Sequence, residues 1–111
     1  MSGDSPRRGE IYWADLDPVV GAETQKTRPG IIVSNDIGNE VSTVVMFAPI
    51  TSKVKYIYPF EVKIPLNGKP AKIMLNQCRA IDKSRLGRKI GFIDHTGMRF
   101  VEDAIRIVFA L

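Results

Sequence analysis

Between Lys69 and Lys89 the chain places Lys69, Lys72, Arg79, Lys83, Arg85, Arg88 and Lys89 against Asp82 alone, a balance of +6 that exceeds the +4 of the whole protein. The remainder is slightly acidic. Charge gathered in one segment suits a polyanion partner, because each neutralised phosphate releases counterions and the field steers encounter. A solvated basic edge has the same composition, and charge alone does not separate the two. Within the segment, Gln77 and Arg79 are read on a strand, where alternation puts both on one face and Asn76 with Cys78 on the other. Gln reads base edges and Arg holds phosphate or stacks on a base, so a shared face suggests a groove; a salt bridge from Arg79 to Asp82 is the structural alternative. One His and one Cys cannot supply three or four zinc ligands, and no acidic cluster resembles a calcium loop, so no metal and no cofactor is expected. His95 stands just before a helix and fits a surface or capping role better than proton transfer. Cys78 reads as core packing.

These residues need elements to carry them. Glu10 to Leu16 alternates polar and apolar with aromatic enrichment, as a half-buried strand does, and Asp17-Pro18 closes it. Val19 to Thr27, with Glu23, Gln25 and Lys26, is too long and polar for a tight turn and reads as a functional loop. Gly30 to Ser34 and Ser42 to Ile50 are β-branched central strands, with Asn35 to Asn39 as turn chemistry between them. Tyr58 to Ile64 and Ala71 to Cys78 supply two more strands around the Asn67-Gly68 turn signal. Asp82 to Leu86 looks like one helical turn, followed by a short strand at Lys89 to Ile93. From Thr96 the period changes: Met98, Val101, Ala104, Ile105 and Val108 recur at spacings of three and four, the stripe of an amphipathic helix capped by Thr96 or Asp94. Short strands plus one terminal helix imply a mainly β domain, a small curled antiparallel sheet closed by that helix.

With 111 residues the chain has room for one domain, read as residues 9–111 behind a frayed tail at 1–8. That length excludes most dehydrogenases, kinases and multi-domain hydrolases. Hydrophobic residues at 44 % and charged residues at 25 % are those of an ordinary globule rather than a disordered or fibrous chain. No apolar run approaches the roughly 20 residues that cross a bilayer, and MSGDSPRRGE has charges with no apolar stretch behind them, so neither membrane nor secretion is expected. A lone cysteine forms no internal disulfide, which makes a reducing cytoplasm the expected compartment.

Several strings occur in a telling order. Arg8-Gly9-Glu10-Ile11-Tyr12, Leu16-Asp17-Pro18, Gly21-x-Glu23 and Arg28-Pro29 are followed by Pro49-Ile50-Thr51-Ser52, Tyr58-Pro59-Phe60-Glu61-Val62 and Gln77-x-Arg79-x-Ile81-Asp82-x-x-Arg85. Together they resemble the MazF/PemK family of toxin endoribonucleases, from Arg8 to about Arg85 plus a terminal helix of the right size. The resemblance implies an SH3-like barrel of the CcdB/MazF type with a C-terminal α-helix and a two-fold homodimer. It also implies metal-independent, sequence-specific cleavage of single-stranded mRNA, and a labile MazE-like antitoxin that blocks the RNA groove.

Metal-free RNA cleavage needs the ribose 2'-hydroxyl to attack its own phosphorus, leaving a 2',3'-cyclic phosphate and a 5'-hydroxyl. A base must take the hydroxyl proton, donors must hold the phosphoryl oxygens, and an acid must protonate the leaving oxygen. Under the resemblance Arg28 holds the phosphoryl oxygens, kept out of helical geometry by Pro29. Thr51 assists as a hydrogen-bonding hydroxyl, and Glu23 is the base or the residue that orients Arg28. Each has a plainer role: Arg28 in a loop-closing ion pair, Thr51 as a turn cap. Thr24 stands where many members carry Gln, which leaves Gln25 as the substitute contact. RNA is expected along Ser52, Lys53, Lys55 and Tyr56, with Tyr56 stacking a base, and at Gln77, Arg79 and Arg85. Members that use His, Arg and Asp instead are set aside, because Ala22, Met74 and Asn76 occupy those positions. Two other classes share the barrel: gyrase-poisoning toxins, which depend on a Trp near the C-terminus where this chain ends Phe109-Ala110-Leu111, and RNA-binding barrels without catalysis.

Overall fold

The computed structural model describes residues 5–16 and 27–111. Its elements are β1 (Glu10–Asp15), β2 (Thr27–Ile32), α1 (Asp36–Val41), β3 (Val44–Thr51), β4 (Glu61–Leu66), β5 (Lys69–Met74), β6 (Arg79–Asp82), β7 (Leu86–Phe92) and α2 (His95–Phe109). Single 3-10 turns lie at Leu75–Gln77 and Lys83–Arg85. The strands run in the order β4-β5-β3-β2-β1-β7, with β6 paired to β3 off this path.

The shape follows from β3. Its first half, Val44 to Phe47, pairs with β6, and its last residues, Ile50 and Thr51, pair with Ile73 and Lys72 of β5. One edge shared by two partners forces the sheet to curl, and the ordinary strand twist adds to this, giving a half-barrel. The β4–β5 hairpin is closed by Asn67 and Gly68 at φ 54° and 76°, the left-handed pair that a two-residue turn needs and the Asn-Gly signal foretold.

Period-two alternation sorts the apolar residues into two clusters. Ile31, Ala48, Ile50, Ile73 and Leu75 face α2 and meet Met98, Val101 and Ala104. Ala14, Ile32, Val45, Phe47 and Ile81 pack on the other face. Gly30 lies on that second face, where an added Cβ would sit 2.2 Å from the Phe47 ring and 2.7 Å from the Ala48 carbonyl oxygen. Only a residue without a side chain lets the ring cross β2 there.

The terminal helix begins at His95, capped by Asp94, whose carboxylate accepts the Gly97 amide at 2.8 Å. His95 itself lies exposed in the first turn, outside the pockets described below. Several readings need correction. The strand read over Gly30 to Ser34 runs over Thr27–Ile32, and the one read over Lys89 to Ile93 runs over Leu86–Phe92. Asn35 to Asn39 is the start of α1 rather than a turn: the Asn35 side chain accepts the Gly38 amide at 2.7 Å, and six residues are too few to show a helical period. The strand read over Ala71 to Cys78 stops at Met74, and a 3-10 turn carries the chain to β6. The strand read from Tyr58 begins only at Glu61. At the N-terminus, Arg7 and Arg8 are tied to Asp36 and Glu102 by ion pairs of 3.1 and 3.2 Å.

Candidate active site

The strand register assembles a row of four residues. Gly30 pairs with Pro49 and Ile32 with Phe47, so continuing the β2–β3 ladder by two residues sets Arg28 opposite Thr51. Ala14 pairs with Arg28 across β1 and β2, and Thr51 pairs with Lys72 across β3 and β5. Facing residues share a side of the sheet with Cβ atoms about 4.5–5.5 Å apart. Ala14, Arg28, Thr51 and Lys72 therefore cross four strands in line, on the face turned away from α2.

Arg28, Thr51, Lys72, Glu61 and Gln77 line a pocket of about 460 Å³ on this face. A second pocket of about 500 Å³ is lined by Trp13, Pro29, Ser52 and Lys69. Arg28, Thr51 and Lys53 line both, so they form a ridge between two depressions. An extended strand crossing the ridge would lay its backbone against two cations and a hydroxyl.

The side chain of the half-buried Arg28 makes no hydrogen bond or ion pair among the described residues. Among the described residues its guanidinium donors are therefore open to the pockets rather than spent on structure. Thr51 Oγ1 accepts the Lys53 amide at 3.2 Å, which is the turn-capping role weighed from the sequence. That contact uses the oxygen as acceptor and leaves the hydroxyl proton to donate, the polarity a phosphoryl oxygen requires. At the pocket wall Lys72 and Glu61 make an ion pair of 2.8 Å, both side chains almost wholly buried.

The remaining residues divide. Ser52 and Lys53 line the pockets beside Thr51. Lys55 and Tyr56 project from the loop after β3, with the ammonium 5.8 Å from the ring centre and Tyr56 65 % exposed. Gln77 reaches the first pocket from the 3-10 turn, its amide 3.5 Å from Met74 Sδ. Arg79 stands on β6 opposite Phe47, on the same face of the sheet as Thr51, but lines neither pocket, while Gln77 sits in the turn before the strand. The suggested bridge from Arg79 to Asp82 is absent among the described residues; the Ser84 hydroxyl, and then the Ser84 amide that this carboxylate accepts at 2.9 Å, lower the Asp82 pKa. Arg85 lies in the next 3-10 turn, away from both pockets. Glu23 and Gln25 lie outside the described residues.

Sequence reasoning missed Glu61 and Lys72 as site residues, although a charge inside the apolar run Ala71-Lys72-Ile73-Met74 was a signal. Burial raises the pKa of Cys78, which packs beside the α2 cluster as read. Among the described residues no three His, Cys, Asp or Glu side chains gather as a metal site, and no helix is long and apolar enough to cross a membrane.

Residues 7–109 match the family described as PemK-like, MazF-like toxin of type II toxin-antitoxin system. This chain belongs to that family. As a PemK/MazF member it is 40 % identical over 110 residues to Endoribonuclease EndoA of Bacillus subtilis strain 168, covering 95 % of both chains. It is 39 % identical over 110 residues to Endoribonuclease MazF of Staphylococcus saprophyticus, covering 95 % of this chain and 92 % of that one. The solved MazF of Deinococcus radiodurans shares the fold with a TM-score of 0.80 at 26 % identity, over 96 % of this chain and 98 % of that one. A MazE–MazF structure from the same organism matches with a TM-score of 0.80 at 25 % identity, over 96 % and 97 %. The half-barrel with its C-terminal helix is thus the PemK/MazF toxin fold, as the motifs implied.

Proposed function

We propose that this PemK/MazF toxin is an endoribonuclease that cuts single-stranded mRNA without a metal ion, at the ridge where Arg28 faces Thr51. The observation that carries the site assignment is that these two residues line both pockets together, with a guanidinium that has no partner among the described residues beside a hydroxyl whose oxygen is already fixed. The endoribonuclease activity follows from the family and from relatives about 40 % identical over most of the chain.

In the reaction the ribose 2'-hydroxyl attacks the adjacent phosphorus, and charge builds on the two non-bridging oxygens. Arg28 donates to these oxygens from a planar fork, which pairs better with phosphate than a point charge does. The Thr51 hydroxyl donates to one of them. Both donors stand on neighbouring strands of a rigid sheet, so little reorganisation is needed as charge develops. Glu23 takes the 2'-hydroxyl proton or orients Arg28. Breaking the bond to the 5'-oxygen, which takes up a proton from solvent water as it leaves, releases a 2',3'-cyclic phosphate and a 5'-hydroxyl end. Ser52, Lys53, Lys55 and Tyr56 track the strand on one side of the cut, Gln77 contacts it on the other, and Gln25, Arg79 and Arg85 add further contacts to the RNA.

The protein works in the cytoplasm as a homodimer, and a MazE-like antitoxin covers the RNA face until it is degraded. The test is incubation of the purified protein with a long single-stranded RNA in EDTA. Fragments with 5'-hydroxyl ends are expected under chelation, and an intact RNA there would refute the metal-free mechanism.

A further inference from the structure

The pocket holds one charged pair to which the chemistry above gives no task. Lys72 and Glu61 lie 2.8 Å apart with side chains 10 % and 6 % exposed. Such a pair loses the hydration of both ions, so it is a weak way to gain stability alone. Its contacts, however, converge on one segment, the loop 52–60 between β3 and β4. Lys72 Nζ donates to the Tyr56 carbonyl at 2.8 Å and to Glu61 Oε1 at 2.8 Å. The same Oε1 accepts the Tyr58 amide at 2.9 Å. Lys72 Nζ also stands 5.5 Å from the centre of the Tyr58 ring, which stacks on Phe60 at 5.4 Å. The loop so fastened carries the exposed side chains of Lys53, Lys55 and Tyr56. The anchor point, Lys72, is the direct cross-strand neighbour of Thr51.

We propose that Lys72 is a positioning residue for the RNA strand: with Glu61 it pins the loop 52–60 to β5 so that Lys53 and Tyr56 stand in register with the Arg28–Thr51 ridge. The proposal rests on the RNA-cleaving reading of that ridge. The pair is neutral overall, so it acts by holding geometry rather than by adding a cation to the RNA path. Its contribution therefore belongs to binding of the strand and not to the phosphoryl step.

The experiment compares Lys72→Met, the double variant Lys72→Met/Glu61→Leu and Arg28→Ala with the parent on one long single-stranded RNA, over a series of salt concentrations. Both Lys72 variants are expected to raise KM by about tenfold while kcat stays within about threefold. The double variant keeps the parental salt slope, because it removes one charge of each sign. It leaves no orphaned carboxylate, so it carries the test if the single variant does not fold. A double variant with parental KM overturns the proposal, since the single change would then have acted only through the stranded Glu61. A salt slope lower by about 0.7 overturns it too, because Lys72 would then be neutralising a phosphate itself. A double variant that cannot fold makes the pair structural and likewise overturns it. Parental kcat in Arg28→Ala strikes the RNA-cleaving reading instead, which keeps the two failures apart.

Discussion

Replacing Thr51 by Val keeps a β-branched side chain at the end of β3 and deletes one hydroxyl. In the folded protein that hydroxyl accepts the Lys53 amide at 3.2 Å. Lys53 is exposed, so water takes over its amide, and the loss of one such hydrogen bond costs about 1 kcal/mol. For a domain of this size that is a fall in Tm of about 4–8 °C, small enough to leave the protein folded at the assay temperature. The catalytic effect is larger. A fixed donor to a developing oxyanion is worth about 3 kcal/mol, because the Lys53 amide already holds the oxygen in place and the site sits at the mouth of a pocket. That corresponds to about a 150-fold loss of kcat with KM changed by less than about threefold. Thr51→Ser, which keeps the hydroxyl but loosens its rotamer, recovers most of the rate. The assay is single-turnover cleavage of one defined RNA, read as appearance of 5'-hydroxyl ends, beside urea denaturation of each variant. Parental kcat in folded Thr51→Val, or a defect confined to KM, would refute the donor role.

Two further outcomes concern the scaffold. Gly30→Ala drives a methyl into the Phe47 ring and the Ala48 carbonyl, and is expected to cost about 1–3 kcal/mol of stability, read as a lower denaturant midpoint; an unchanged midpoint would mean that the ring does not cross β2. Glu10 is half-buried, which by itself raises its pKa, but Lys89 at 2.7 Å, the Arg7 amide and the Tyr12 hydroxyl outweigh this and hold it below 4.5. A lowered carboxylate contributes stability above its ordinary pKa and loses it as pH falls through the folded value. Glu10→Gln is therefore expected to cost about 1 kcal/mol at pH 7 and progressively less below pH 4.5, measured by urea denaturation across that range; a constant difference at all pH values would contradict it.

Local signals carried much of the fold. The Asn67-Gly68 turn, the apolar stripe of α2 and the β-branched runs of β2 and β3 each state their structure within a few residues, and each element formed where it was read. The bounds of the two strands did shift, β2 to Thr27–Ile32 from Gly30 to Ser34 and β3 to Val44–Thr51 from Ser42 to Ile50. What failed needed longer-range information. The helix α1 is too short to show a period, and the break after Met74 has no Gly or Pro to mark it, because the chain turns there to reach a second partner on the edge of β3. The same break moved Gln77 off the strand and separated it from Arg79. For the site, the family motifs pointed to Arg28 and Thr51, which meet on one ridge, whereas nothing local announces that Lys72 will face Thr51. That neighbour is set by the β3–β5 register, which depends on how the whole sheet curls.

The central claim is that a guanidinium with no competing partner among the described residues stabilises the phosphoryl oxygens during strand scission. The most direct measurement is the single-turnover cleavage rate of Arg28→Ala under saturating protein and EDTA. The expected result is a rate lower by at least about 100-fold, with a denaturation midpoint close to the parent. Cleavage at the parental rate by that folded variant would contradict the account.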